Sequence, residues 1–336
     1  MSAALASPFA FALDAALEAR EPAEVRGASR ADVRLLVSDK ASGAVAHRRF
    51  EDLPVLIRPG DLLVVNNSAT LPASVPTEDG LRVHFSSTRP DGSWLVELRE
   101  GPGPYLGEVP GGAVRLPGGV RLALAERFGK RLWVTRPPLE SVPEYLARHG
   151  KPIRYSYVDR DWPVSAYQTA FATVPGSAEM PSAARPFTPE IVTRLVSGGV
   201  GVAPITLHTG VASLESDEAP YPEWFEVGEH TARAVNTAKA AGGRVIAVGT
   251  TVVRALESAA GAGRVRAASG HTGRIVSPQA PPAVVDGLLT GFHEPRSTHL
   301  WMLEAVAETG LLRESYEAAI EERYLWHEFG DVHLIA

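Results

Sequence analysis

Between Val75 and Pro138 the sequence is cut into short β-rich runs by glycine and proline. Leu81 to Ser86, Ser93 to Arg99, Ala113 to Leu116, Val120 to Ala125 and Lys130 to Thr135 alternate with clusters such as Pro110-Gly111-Gly112 and Pro117-Gly118-Gly119. Strands this short with turn residues between them build a small antiparallel barrel or sandwich, and helical signals are nearly missing here. On either side, strand and helix patterns alternate. The expected fold is therefore an α/β body, residues 1–75 and 139–336, interrupted by a small antiparallel β-barrel over residues 76–138.

Within the α/β part, Arg34 to Ser38 and Ala44 to Phe50 flank a turn at Asp39 to Gly43 and read as a hairpin. Asp61 to Val65 is a short apolar run bounded by turn residues, hence a buried strand. It ends in Asn66-Asn67-Ser68, and open α/β sheets place ligands at such strand ends. Thr188-Pro189-Glu190 supplies an N-cap, a first-turn proline and a first-turn acid for a helix over Ile191 to Val196, which Ser197-Gly198-Gly199 ends. A strand from Gly201 to Leu207 then runs into His208, and a helix follows from Glu229 to Ala241. Next come the strand Val245 to Val248, the turn Gly249-Thr250-Thr251 and a helix from Val252 to Ala260. Val284 to Thr290 gives one more strand, and Ser297-Thr298 opens an amphipathic helix through Glu308. This order predicts a mostly parallel sheet with packed helices.

Composition narrows the function classes. At 336 residues, 45% apolar and 21% charged, the chain has material for a sizeable core and roughly two domains. The absence of cysteine excludes disulfides, thiolate metal sites and a cysteine nucleophile. A net charge of −6 argues against a general polyanion binder. The apolar start, Met1 to Leu13, lacks the basic residues of a secretory leader, and no apolar run approaches the ~18 residues that span a bilayer. A soluble cytoplasmic protein is expected.

The sharpest local signal is Val245 to Glu257, where a buried strand meets Gly-Thr-Thr and a helix begins. Unpaired N–H groups there, with two hydroxyls, make a site for an anion, although the same turn serves equally as plain capping. It has neither the three-glycine spacing of a dinucleotide loop nor the Gly-Lys-Ser/Thr of a nucleotide-phosphate loop. His208 and His293 each follow an apparent strand end, where a histidine acts as acid or base or else serves as a bonded structural residue. No histidine spacing asks for a metal. Arg254 and Glu257, three apart, share a helix face as an ion pair, and Trp301-Met302-Leu303 reads as core. Two basic clusters, Arg127, Lys130 and Arg131, then Arg148, Lys151 and Arg154, read as solvated surface.

Four stretches together go further than composition or spacing. They are Gly60-Asp61-Leu62-Leu63-Val64-Val65-Asn66-Asn67; Tyr167-Gln168-Thr169 with Pro175-Gly176; Ile246 to Thr251 with Arg254 and Leu256-Glu257-Ser258; and Val285 to His293 with Pro295 and Ser297-Thr298. Thr206-Leu207-His208 with Gly210 lies in order between them. The chain resembles the S-adenosylmethionine:tRNA ribosyltransferase-isomerase family of queuosine biosynthesis over nearly its whole length, including Tyr324 and Phe329-Gly330-Asp331.

The resemblance implies an α/β domain interrupted by a small β-barrel domain. It implies a transferase-isomerase of tRNA modification that moves the ribosyl part of S-adenosylmethionine onto 7-aminomethyl-7-deazaguanine in tRNA, giving epoxyqueuosine and releasing adenine and methionine. S-adenosylmethionine is then a ribose-donating co-substrate, with no metal or redox cofactor. The sulfonium acidifies the adjacent C5′ protons, so a base is needed, and adenine leaves more easily when protonated. His208 and His293 fill the acid/base positions, and Gly249, Thr250 and Thr251 with Arg254 the anion site. Asn66, Asn67, Tyr167, Gln168, Glu257, Ser297 and Thr298 are the further substrate-binding candidates. The chain departs from the family pattern where arginines are usual, at Ala69 and Ser74, where a histidine is usual, at Pro186, and at Pro222-Glu223-Trp224, which stands for His-Ser-Glu. Two alternatives stay open: an S-adenosylmethionine enzyme with a small-molecule acceptor, and a non-catalytic binding protein of the same fold.

Overall fold

The computed structural model describes residues 11–211, 221–295 and 297–336. Most of the apolar start Met1 to Leu13 lies outside them. A nine-stranded sheet runs in the order Ala268–Thr272, Glu223–Val227, Gly201–Leu207, Leu62–Asn66, Val245–Val248, Gly287–Gly291, Val332–Ile335, Arg34–Ser38, Val45–Arg49. Alternation explains why its central strands are apolar throughout. Leu62 and Val64 face one core with Val245, Ala247 and Leu288, while Leu63 and Val65 face the other with Ile246, Val248 and Leu289. The helices Glu229–Ala240, Thr250–Ser258, His299–Val306 and Thr309–Glu321 cover the first face, and Leu53–Leu56 and Pro189–Ser197 the second.

The sheet is mixed, which corrects the mostly parallel expectation. Four of its eight neighbour pairings are parallel and four antiparallel. The hairpin of Arg34–Ser38 and Val45–Arg49 is antiparallel because its connection is too short for a crossover. Gly287–Gly291 and Val332–Ile335 are antiparallel because two helices separate them, and the second returns the chain to the end it left. The helix opened by Ser297-Thr298 is His299–Val306, shorter than expected. Leu300, Met302, Leu303 and Val306 bury most of its surface, so it is apolar rather than amphipathic.

The segment punctuated by glycine and proline is antiparallel throughout. Its ladder runs Glu126–Phe128, Leu132–Thr135, Trp94–Glu100, Arg82–Thr88, Ser74–Pro76, with Gly103–Pro104 against Trp94–Glu100 and a separate hairpin of Ala113–Leu116 and Val120–Ala123. It has its own apolar core, centred on Val83, Phe85, Val96, Leu98, Leu116 and Leu132, to which the helix Val142–His149 adds Val142, Tyr145 and Leu146.

Two histidines are enclosed without charge. His333, on the strand Val332–Ile335, is fully buried and shares Ser38 Oγ at 2.7 Å. Burial pushes it down to about 3, and burial with Arg99, Arg82 and Arg131 does the same to His84. Below the ordinary value of about 6.5 the unfolded chain takes up these two protons and the folded chain refuses them until about pH 3. Stability therefore falls as pH drops below 6.5, by about 2 kcal/mol per histidine at pH 5. Urea midpoints at pH 7.5 and 5 should shift accordingly, and His333→Gln should flatten the dependence.

Candidate active site

The four parallel strands at the centre of the sheet all deliver residues from their C-terminal ends into one cavity of about 720 Å³. Leu62–Asn66 leads to Thr70, Gly201–Leu207 to Thr209, Val245–Val248 to Gly249, Thr250 and Thr251, and Gly287–Gly291 to Thr290, Phe292 and His293. This is where an open α/β sheet puts its ligands.

The Gly-Thr-Thr stretch is the start of a helix, which begins at Thr250, so the expected turn is reduced to Gly249. Gly249 holds φ +98°, a conformation that favours glycine, and donates its N–H to Leu289 O at 2.8 Å. Val252 N–H in the first turn donates to Gly249 O at 3.1 Å, and the N–H groups of Thr250 and Thr251, which have no carbonyl one turn earlier in the helix to bond, lie beside their own hydroxyls on the cavity lining. Asn66 fixes this corner from beneath. Its Nδ2 donates to Leu207 O (2.8 Å) and Thr251 Oγ1 (3.2 Å), and its Oδ1 accepts from the N–H groups of Ser68 and Leu207. Asn67 Oδ1 accepts from Thr206 Oγ1 at 2.7 Å. Both asparagines are thus committed to holding strand ends together.

His293 is gripped at three points. Its Nε2 lies 2.9 Å from Thr290 Oγ1, its N–H donates to Tyr316 Oη at 3.3 Å, and its carbonyl accepts from Trp326 Nε1 at 3.1 Å. His299 stacks on it at 4.7 Å. Burial, reinforced by the His299, His333 and His327 rings, holds His293 well below the usual histidine range, so it is a neutral base at pH 7. Ser297 and Thr298 line the cavity beside it, and Ser297 Oγ accepts the His299 N–H at 3.3 Å.

Across the cavity stands a wall the sequence reading did not single out. Tyr155 and Tyr157 stack at 5.7 Å, and Tyr157 stacks on His327 at 4.1 Å. Tyr155 donates its phenol to Glu179 and Tyr157 to Glu328. Residues 155–158 form a turn closed by Val158 N–H on Tyr155 O at 3.1 Å, and that turn brings the two rings together. Burial raises the Glu328 carboxyl above the usual range even though Tyr157 donates to it. Tyr167 also lines the cavity, and its Oη is buried with no hydrogen-bond partner.

The other sequence candidates lie outside the lining. His208 Nδ1 sits 2.7 Å from Ser68 Oγ, which in turn meets Ser177 Oγ, and Trp224 stacks on its ring at 5.1 Å. A Cβ on Gly176 would come within 2.4 Å of that ring, so the imidazole is boxed in, and burial pushes it down to about 4. Arg254 does not pair with Glu257. It binds the Glu223 carboxylate and the carbonyls of Thr272 and Arg274. Glu257 is buried and accepts the N–H groups of Ala283, Val284 and Val285. Gln168 clamps the backbone of Thr70 from both sides, accepting at 3.0 Å and donating at 2.8 Å. The basic clusters are largely committed as well: Arg131 is buried on Glu97, and Lys151 and Arg154 share Asp161. Among the described residues no group of three or more His, Asp or Glu is arranged to hold a metal, and no helix is long and apolar enough to cross a membrane.

A sequence model described as queuosine biosynthesis protein matches residues 6–335. The chain belongs to the queuosine biosynthesis family. Relatives named S-adenosylmethionine:tRNA ribosyltransferase-isomerase agree in length as well as sequence. The one from Azoarcus sp. is 36% identical, with 97% of this chain and 96% of that protein covered. The one from Rubrobacter xylanophilus is 36% identical over 95% and 94%, and the one from Thermosynechococcus vestitus 33% over 94% and 92%. The crystal structure of S-adenosylmethionine tRNA ribosyltransferase from Thermotoga maritima superposes with a TM-score of 0.57 at 26% identity, covering 98% of this chain and 99% of that one. In this chain Trp224 covers His208, the histidine that follows the strand Gly201–Leu207.

Proposed function

We propose that this queuosine family member transfers and isomerises the ribosyl group of S-adenosylmethionine onto 7-aminomethyl-7-deazaguanine in tRNA, giving epoxyqueuosine with release of adenine and methionine. The observation that carries this reading is the pairing of whole-length kinship with a cavity that has two chemical poles. One pole is the helix start at Thr250 and Thr251 with Ser297 and Thr298, rich in N–H and hydroxyl donors and suited to the methionine carboxylate. The other is the tyrosine–histidine wall with its carboxylates, suited to a cationic or aromatic group.

In this scheme S-adenosylmethionine is the ribose donor and tRNA the acceptor, so the protein works in the cytoplasm. His293, neutral and fixed by Thr290, takes the C5′ proton that the sulfonium acidifies. Asn66, Asn67 and Gln168 hold the cavity floor. Tyr167, with its unsatisfied hydroxyl, meets the substrate. His208, Arg254 and Glu257 act from behind the lining by fixing Ser68, Glu223 and residues 283–285. Residues 76–138 make a barrel-like inserted domain, and 1–75 with 139–336 the catalytic one; the antiparallel ladder supports that division, although its apolar core also takes in Leu71, Ala73, Ile153, Ala178, Val211 and Tyr221 from the flanking chain.

A second reading, a small-molecule acceptor, is favoured by one observation. The family's arginine positions are Ala69 and Ser74 here, Arg131 is buried on Glu97, and Lys151 and Arg154 share the single carboxylate of Asp161. The two readings separate on the nucleosides of a digested precursor tRNA after incubation with the protein and S-adenosylmethionine. A new nucleoside with the mass of epoxyqueuosine is expected. An unchanged tRNA alongside consumed S-adenosylmethionine would favour the small-molecule acceptor.

A further inference from the structure

The carboxylate on the tyrosine wall has no cation within salt-bridge distance among the described residues. Glu97 is bonded to Arg131 and Glu223 to Arg254, each a charge met by a charge, and buried Glu257 is met by three backbone N–H groups. Glu328 takes the phenol of Tyr157 instead. A carboxylate has about four acceptor sites, and one phenol donor leaves capacity facing the cavity that Glu328 lines. Its support is rigid. Tyr157 is sandwiched between Tyr155 and the His327 ring, at interplanar angles of 12° and 16°. His327 itself holds φ +71°, a conformation seldom adopted by a bulky residue, and strain of that kind concentrates at ligand sites. A second feature points to a missing ligand at the same place. The Nε2 of His327 is buried without a hydrogen-bond partner, 3.9 Å from Oε1 of Glu294 on the cavity lining and 3.8 Å from Glu18. Among the described lining residues are the carboxyl side chains of Glu179, Glu294 and Glu328, with no lysine or arginine beside them.

We infer that Glu328, held by Tyr157 and backed by the His327 ring, is a specificity residue for the acceptor: it receives the protonated primary amine of a planar base that lies along the tyrosine–histidine wall. This rests on the reaction proposed above and goes beyond it in assigning the two poles, the helix start to the donor and the wall to the acceptor. The ammonium supplies a cation in direct contact, where Arg185 acts on Glu328 only through its field. Glu179, bonded to Tyr155, lines the same wall beside it.

The test is steady-state adenine release with acceptor and donor varied separately. The acceptor is tRNA carrying the 7-aminomethyl-7-deazaguanine base, and the same tRNA carrying its 7-cyano counterpart, which has no amine to accept the ribosyl group, serves as a competitive inhibitor. Glu328→Gln is expected to raise KM for the aminomethyl tRNA by about 10- to 100-fold, the loss of one charge-assisted hydrogen bond, and to leave KM for S-adenosylmethionine within about twofold. The cyano tRNA should inhibit the wild-type protein with a Ki well above the aminomethyl KM, and Glu328→Gln should narrow that gap. Tyr157→Phe, which keeps the carboxylate and removes its anchor, should move the same KM in the same direction and covers the case in which Glu328→Gln fails to fold. An unchanged acceptor KM in both variants, or a rise in the donor KM instead, overturns the assignment. If the wild-type protein releases no adenine with the aminomethyl tRNA, the reaction itself is wrong and the assignment of Glu328 falls with it.

Discussion

Replacing Glu257 by alanine should cost about 3–5 kcal/mol of folding stability, the scale for leaving a buried charge network broken. The carboxylate is enclosed and accepts three consecutive N–H groups, from Ala283 at 2.8 Å, Val284 at 3.0 Å and Val285 at 3.1 Å. Those residues feed the strand Gly287–Gly291, which carries Thr290 and His293 to the cavity. Alanine would strand three donors away from water, each worth about 1–3 kcal/mol when unsatisfied, with incomplete additivity. Glutamine keeps an oxygen acceptor, and Val284 and Val285 share a single oxygen, so Glu257→Gln should lose about half as much. Urea unfolding followed by tryptophan fluorescence reads both. Wild-type stability in Glu257→Ala together with lost turnover would mean that Glu257 touches substrate after all.

The larger effect on chemistry belongs to His293. His293→Ala should lower kcat by about 10²- to 10⁴-fold, the range for removing a positioned base, with KM for S-adenosylmethionine little changed. The sign of the pH dependence follows from the site. Burial and the neighbouring imidazoles hold His293 well below 6.5, so it stays unprotonated between pH 6 and 8, and kcat/KM should show no inflection near 6.5 from this group. An alanine variant with wild-type turnover would remove His293 from the chemistry. His208→Ala should behave differently. Its ring packs between Gly176 and Trp224 and bonds Ser68, so its loss should appear mainly in stability.

The central strands and several helix ends were legible because they are dictated locally, whereas Glu223–Val227, Ala268–Thr272 and Val332–Ile335 were not read as strands. Leu62–Asn66 and Val245–Val248 are apolar on both faces, and Thr188 caps its helix by accepting from Ile191 N–H at 3.3 Å. The sheet's mixed order was not legible, since strand direction depends on how many helices lie between strands, and the helix Thr309–Glu321 was not read at all, the last expected helix ending at Glu308. Within the site, Gly249, Thr250, Thr251, Tyr167, His293, Ser297 and Thr298 do converge on one cavity. Asn66, Asn67, Gln168, His208, Arg254 and Glu257 do not reach it, because motif position marks a residue as required without saying whether it touches ligand or backbone. The wall of Tyr155, Tyr157, Glu179, His327 and Glu328 was invisible for the opposite reason: three separate segments build it, and only the fold brings them together.

The central claim is that this chain breaks the bond between ribose and adenine in S-adenosylmethionine only as it delivers the ribose to tRNA. Chromatography of adenine from purified protein and S-adenosylmethionine, with and without tRNA bearing the aminomethyl-deazaguanine base, tests it directly. The account predicts adenine only in the reaction that contains that tRNA, in step with loss of the precursor base. Adenine formed equally without tRNA, or none in either reaction, would contradict it.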